Sequence, residues 1–171
     1  MSFTRLKNRA VARLITFFPS LGKRLVDSYH PWESEEIPWS PAATPLAKAT
    51  VAVVTTAGVH HRDQRPFDMK DGNGDPTFRV IDSSKPLSTL MITHDYYDHT
   101  DADRDINIVF PLERLGEMVS EGTIGGLAER HYSFMGHIDG PYISTLVEET
   151  GPRVAQAIVD DNVDIVLFTP G

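Results

Sequence analysis

Six of the seven histidines of this chain fall in three short stretches, and acids stand beside them. The first is His60-His61-Arg62-Asp63. The second is His94-Asp95-Tyr96-Tyr97-Asp98-His99, followed by Asp101, Asp103 and Asp105. The third holds His131 and His137. Imidazoles next to carboxylates are equipped to move protons near neutral pH, and an arginine in such a setting offers a fork for a substrate carboxylate. The competing structural roles are ordinary ones. His137 beside Phe134 and Met135 suits a buried loop cap as well as a substrate contact, and Arg62 suits an ion pair with Asp63 or Asp68.

Metal chemistry is a second way to use these residues. The stretch His94 to His99 is similar to the His-x-His-x-Asp-His signature of metallo-β-lactamase-type zinc hydrolases, but Tyr96 stands where the second histidine belongs, which removes an imidazole from the ligand set. Asp101, Asp103 and Asp105 alternate like calcium-loop ligands, without the glycine and the closing glutamate that such a loop needs. No metal site is expected. A serine nucleophile elbow, a Walker A loop and a dinucleotide fingerprint are all missing. Without a single Cys, the chain has neither a disulfide nor a thiolate nucleophile of its own, which fits a reducing cytoplasm.

The elements that must position these side chains alternate. Ala49 to Thr56 is β-branched and continuous, as an interior strand requires, and ends at Ala57-Gly58. Residues 59–77 read as a long functional loop. Phe78 to Ile81, Leu87 to Thr93 and Ile106 to Phe110 read as short strands. Pro111 starts a helix with Leu112, Leu115, Met118 and Val119 on one face, and Gly122 ends it. Residues 125–126 and 131–140 read as loop. Ile143, Leu146, Val147, Val154 and Ile158 keep helical spacing across a kink at Gly151-Pro152. Val163 to Thr169 then reads as a central parallel strand. The pattern predicts an α/β protein with a mainly parallel, doubly wound (Rossmann- or flavodoxin-like) sheet, incomplete at its C-terminus, whose ligands bind beyond the carboxyl ends of the strands. Thr56 lies at one such end.

Three segments result: a basic amphipathic helix over 1–30, a Pro-rich connector over 31–48, and the α/β domain over 49–171. Leu6, Ala10, Leu14, Phe17, Leu21 and Leu25 mark the helix stripe, flanked by Arg5, Arg9 and Arg13. Residues 1–30 hold six Lys/Arg and one acid, Asp27, so residues 31–171 carry a net charge near −13 out of the total of −8. That field repels phosphate backbones, so nucleic acid is not an expected partner. The apolar runs are far shorter than the roughly 20 residues of a membrane span.

Several long stretches, Val53 to His60, Arg65-Pro66-Phe67-Asp68, His94 to Arg114, Arg130 to Ile138 and the strand ending at Gly171, resemble the selenoprotein B family of glycine, sarcosine, betaine and D-proline reductases, most closely its smaller D-proline-reductase-like branch. The resemblance implies a subunit that reductively cleaves a carbon–nitrogen bond in an amine or amino acid. It also implies a selenocysteine or cysteine just after the strand matching 163–169, a pyruvoyl group on a partner subunit, and a thiol electron donor. We therefore expect the nucleophile immediately beyond Gly171, as though translation had stopped at a UGA codon, and an inactive chain without it. A thiolate or selenolate there would be held by backbone N–H groups and a helix N-terminus. On this reading His60, His94 or His99 is the general acid and Asp98 orients an imidazole, while Thr56, His61, Arg62, Asp105 and His137 contact substrate. A homo-oligomer is expected from the apolar face of an incomplete sheet. The alternatives are a non-catalytic assembly module and the metal hydrolase built on His94, Asp98 and His99.

Overall fold

The structure, a computed structural model, describes residues 40–171 and positions 10, 11, 14, 15, 17, 18, 20 and 23. The amphipathic helix over 1–30 and the connector up to residue 39 lie otherwise outside the described residues. The organising strand is β1 (Thr50–Thr55), buried from Val51 onward. On one edge it pairs in parallel with β7 (Ile165–Thr169), from Val51 opposite Ile165 to Thr55 opposite Thr169. Its other edge carries β5 (Gly126–Leu127) and β6 (Arg130–Ser133) in succession, both parallel to it. β3 (Arg79–Asp82) closes that side antiparallel to β6. A separate antiparallel ribbon joins β2 (Val59–His61) to β4 (Leu90–Ile92).

Strand alternation gives β1 two working faces. Val51 and Val53 share a core with Phe110, Leu112 and Leu115, so the helix α1 (Leu112–Ser120) covers that face. Val54 shares the other with Tyr132, Phe134 and Val154, the last from α3 (Gly151–Asp160). The fold is thus mixed α/β, with helices on both faces of a curled sheet that combines parallel and antiparallel pairs. Asp164 pins its entry, accepting from Thr44 Oγ1 at 2.5 Å and from the Thr50 N–H at 2.8 Å. No described helix is long and apolar enough to cross a membrane.

Several elements differ from the sequence expectations. The loop over 59–77 begins as β2, because Val59, His60 and His61 pair with β4 and are buried. Ile106 to Phe110 is no strand: the Asp105 side chain accepts from the Asn107 N–H and turns Ile106–Ile108 into a 3₁₀ turn. Leu87–Thr89 is likewise a 3₁₀ turn, and only Leu90–Ile92 is extended. The stretches expected as loop contain the first residue of β5 and most of β6. The helix over 142–160 does not break at Gly151-Pro152. α2 (Tyr142–Thr145) passes through a π-helical turn, Leu146–Thr150, into α3, placing the proline in α3's first turn where its missing donor costs little. β7 has β1 as its strand partner among the described residues, and Phe168 is 72% exposed.

β6 carries a buried imidazole. His131 is fully buried, its Nδ1 accepts from the Val53 N–H at 2.9 Å, and its Nε2–H finds no partner among the described residues. Desolvation lowers its pKa to about 4, so the unfolded chain, with an ordinary value near 6.5, takes up the proton first. This sets the sign: the His131 contribution is complete above pH 6.5 and is lost progressively as pH falls toward 4. Urea titrations at pH 7.5 and pH 5 are expected to show the unfolding free energy falling by up to about 1.4 kcal/mol per pH unit from this residue. His131→Asn, which keeps an acceptor near the Nδ1 position, is expected to reduce that slope.

Candidate active site at the strand ends

The end of β1 is tied down by backbone bonds from three directions. The Thr56 N–H donates to Thr169 O, the Phe134 N–H to Thr55 O, and the Gly58 N–H to Phe134 O. The Thr93 N–H then donates to Gly58 O, bringing the His94 loop onto the same point. Gly58 has φ +72°, and a Cβ there would lie 2.5 Å from Thr93 O, so only glycine allows this approach. Gly136, at φ +78°, is clamped in the same way. A Cβ on it would stand 2.6 Å from Thr56 O and 3.3 Å from His94 Nε2.

Thr56, His94 and His137 therefore converge around Gly136. His94 is 6% exposed and accepts the Tyr96 N–H on Nδ1 at 3.1 Å. With Nδ1 accepting, the neutral ring carries its proton on Nε2. Burial lowers its pKa to about 4, with the nearby His99 and His137 charges acting in the same direction, so it is neutral at physiological pH. His137 stacks on Tyr96 at 3.9 Å between centroids, and its Nε2 donates to Gly72 O at 3.0 Å. Thr56 Oγ1 accepts from the Gly171 N–H at 3.2 Å, which fastens the end of β7 to the same cluster.

A second group gathers on the far side of Tyr97. The Tyr97 ring lies between His94, at 4.7 Å, and His99, at 5.5 Å, and its hydroxyl donates to Ala57 O at 3.2 Å. Burial raises its pKa, so it stays a donor. His99, Arg62 and Asp105 line a cavity of about 560 Å³. His99 Nδ1 is 2.9 Å from Asp103 Oδ2. The imidazole thus has Asp103 as its carboxylate neighbour, whereas Asp98 accepts from the Thr100 hydroxyl and N–H. Asp105 accepts from the Asn107 side chain and N–H, which holds its carboxyl below the usual range.

His60 and His61 belong to β2 itself. His60 is fully buried, with Nδ1 donating to His61 O and Nε2 bonded to Thr93 Oγ1, each at 2.8 Å. His61 bonds Thr89 Oγ1 and accepts the Asp82 N–H. Burial lowers both pKa values, with Lys85 adding to the effect at His61. Sequence reasoning missed Tyr97, Asp103 and Gly136 as site residues. The first two were readable as the ring between two histidines and as the acid four residues after His99, a spacing that puts side chains together in a helical turn.

Among the described residues no three His, Asp or Glu side chains gather as a metal set. The cluster lies at the carboxyl end of parallel strands in an α/β protein, the place where proteins of this class bind their ligands. The model of the glycine/sarcosine/betaine reductase selenoprotein B family matches residues 4–171, and the chain belongs to that family. It is 38% identical over 133 residues to D-proline reductase subunit gamma of Acetoanaerobium sticklandii, covering 78% of this chain and 53% of that protein. It is 29% identical over 138 residues to glycine reductase complex component B subunit gamma of Carboxydothermus hydrogenoformans, covering 79% of this chain and 31% of the relative. With sarcosine reductase complex component B subunit beta of Peptoclostridium acidaminophilum the identity is 25% over 139 residues, again 79% of this chain and 31% of the relative. The chain thus spans about half the length of the first relative and less of the other two. No solved structure gives a significant match.

Gly136→Ala is expected to destabilise the protein by about 1–3 kcal/mol, because it combines a left-handed φ with a clash on backbone. The measurement is a urea midpoint, with His94 imidazole NMR shifts reporting on the cluster. Gly72→Ala, where a Cβ meets nothing within 4 Å, is expected to leave both unchanged.

Proposed function

We propose that this chain is the strand-end half of a reductase subunit that cleaves a carbon–nitrogen bond in an amino acid or related amine, of the D-proline, glycine or sarcosine kind. The observation that carries it is the convergence of Thr56, His94, Gly136 and His137 with the end of β7, in a chain whose relatives are reductase subunits. The end of β7 reaches that same space, since Gly171 is bonded to Thr56 Oγ1 and packs on Ala57. By the family likeness, a selenocysteine or cysteine there supplies the nucleophile, and a pyruvoyl group on a partner subunit activates the amine. Completion of the sheet as a doubly wound one belongs to the same proposal.

Replacing C–N by C–H and N–H consumes one electron pair and two protons in all, so the reaction needs a two-electron reductant and proton donors. A dithiol is the reductant of this proposal and leaves as a disulfide, in keeping with a cytoplasmic setting. The chain's own residues supply the rest. Neutral His94 and the Thr56 hydroxyl offer hydrogen bonds without charge, and burial around them excludes water from the reacting carbon. An apolar groove of about 730 Å³ runs from Thr56 and Gly136 along α3 and β7, past exposed Val159 and Phe168. We assign it to the partner subunit. Self-association through the same face is the alternative assembly.

The full-length protein, with the segment that follows Gly171 and its co-expressed partner subunit, tests the proposal under anaerobic conditions with a dithiol. D-proline, glycine, sarcosine and betaine are the substrates to offer, with mass spectrometry of the products. At least one is expected to lose its C–N bond in a reaction that depends on both the dithiol and the partner and stops on alkylation by iodoacetate. Cleavage of none of them by an assembled complex refutes the reductase reading.

A further inference from the structure

Two apolar faces of this chain stand exposed. One is the groove along α3 and β7, where Val147, Val159 and Phe168 face solvent. Val147, Gly151, Ala155 and Val159 follow one another at four-residue spacing and form a row of roughly 18 Å at 1.5 Å per residue. The small side chains in the middle of that row let another helix come close. The second face belongs to the N-terminal segment. At the positions described there, Val11, Leu14, Phe17 and Phe18 are exposed, and the Phe18 N–H donates to Leu14 O at 2.9 Å, a helical bond. Exposed apolar faces of this kind mark surfaces of association.

The two faces match in length and in charge. Leu6, Ala10, Leu14 and Phe17 recur at helical spacing over about 17 Å, close to the length of the groove's row. Arg5, Arg9 and Arg13 follow one another along one flank of that stripe. Acids border the groove: Glu148, Glu149 and Asp160 are exposed, and none of the three forms an ion pair among the described residues. Arg153, the one base of α3, leans over the Phe78 ring.

The chain also leaves the α/β body at a suitable place. Thr44 is bonded to Asp164, in the turn between α3 and β7, so residue 44 stands beside the end of the groove that Val159 and Val166 line. The stretch from Pro19 to Ala43 spans up to about 80 Å when extended, several times the groove's length. The matching family model begins at residue 4 and so includes the segment.

We propose that residues 5–18 of this chain lie in the groove along α3 and β7 until the partner subunit takes it. Leu6, Leu14 and Phe17 then rest on the row from Val147 to Val159, and Arg5, Arg9 and Arg13 turn toward Glu148, Glu149 and Asp160. The tether keeps the segment at high local concentration, which shields the apolar face of the free subunit, and the partner subunit binds by displacing it. A segment in place in about nine molecules of ten lowers the partner's apparent affinity about tenfold. Only the displacement step rests on the groove's assignment to the partner subunit. The docked segment depends neither on that assignment nor on the reductase reading.

Full-length protein with photoreactive benzoylphenylalanine in place of Phe17 tests the docking. Irradiation of the subunit alone is expected to join residue 17 to a peptide within 146–168 of the same copy, read by mass spectrometry on a mixture of isotopically light and heavy protein. Ala155→Glu, at an exposed position of the row, is expected to lower that cross-link about tenfold with the urea midpoint unchanged. Removal of residues 1–30 is expected to tighten partner binding about tenfold by calorimetry. Cross-links to another surface, or none, overturn the docking. Cross-links between light and heavy copies make a second copy the occupant and overturn it too. Unchanged partner affinity after removal of residues 1–30, with the cross-link present, overturns the displacement and leaves the docked segment and the reductase reading standing.

Discussion

Everything in this molecule is positioned from the last residues of β1. Within four positions, Thr55 to Gly58, the backbone is bonded to β7, to the end of β6 and to the turn that begins the His94 loop. Each of those partners arrives from a different part of the sequence, so the local geometry is over-determined, and a glycine at φ +72° is what lets the third strand of contact come within reach. Unpaired buried backbone groups are expensive, and this crossing pairs them while turning the chain out of the sheet. A site built here is as rigid as the sheet itself, a property that reacting groups held within about half an ångström require.

Burial then sorts chemically identical side chains into different work. His60, His61 and His131 lie where the charged form is penalised; His60 and His61 spend both nitrogens on backbone or hydroxyl partners, and His131 spends Nδ1 on the Val53 N–H. They act as neutral cross-links. His94 is nearly as buried but stands at the strand end, so the same desolvation gives the cluster an uncharged donor. His99 has a carboxylate neighbour on one nitrogen and a cavity on the other side of the ring. The difference between scaffold and chemistry is the second partner of each ring, not the residue type.

That difference explains what could be read from the chain alone. β1, α1, α3 and β7 were legible because their apolar residues run continuously or at helical spacing, and a single hydrophobic pattern decides such segments. β6 was not, because Arg130-His131-Tyr132-Ser133 is polar by letter while His131, Tyr132 and Ser133 are buried by pairing with β1 and β3, strands that the local sequence does not contain. The same blindness placed His60 and His61 in an open loop. Asp105 to Phe110 misled in the opposite sense, since its apolar letters look extended and a capping aspartate bends them. At the site, naming Thr56 as a candidate needed only the rule that ligands gather at strand ends. Asp103 as the partner of His99 was not read from the chain, because a turn brings those two residues together.

Tyr97 connects the two halves of the site and shows why neither can be understood alone. Its hydroxyl is spent on Ala57 O, so the phenol holds the loop to the β1 terminus, and its ring fills the gap between two imidazoles. A charge placed on His99 is felt at His94 across this ring, where it adds to desolvation in lowering the His94 pKa. Desolvation is the larger cause, so His94 stays uncharged at physiological pH, and Tyr97 holds the two imidazoles in one packed row against the end of β1.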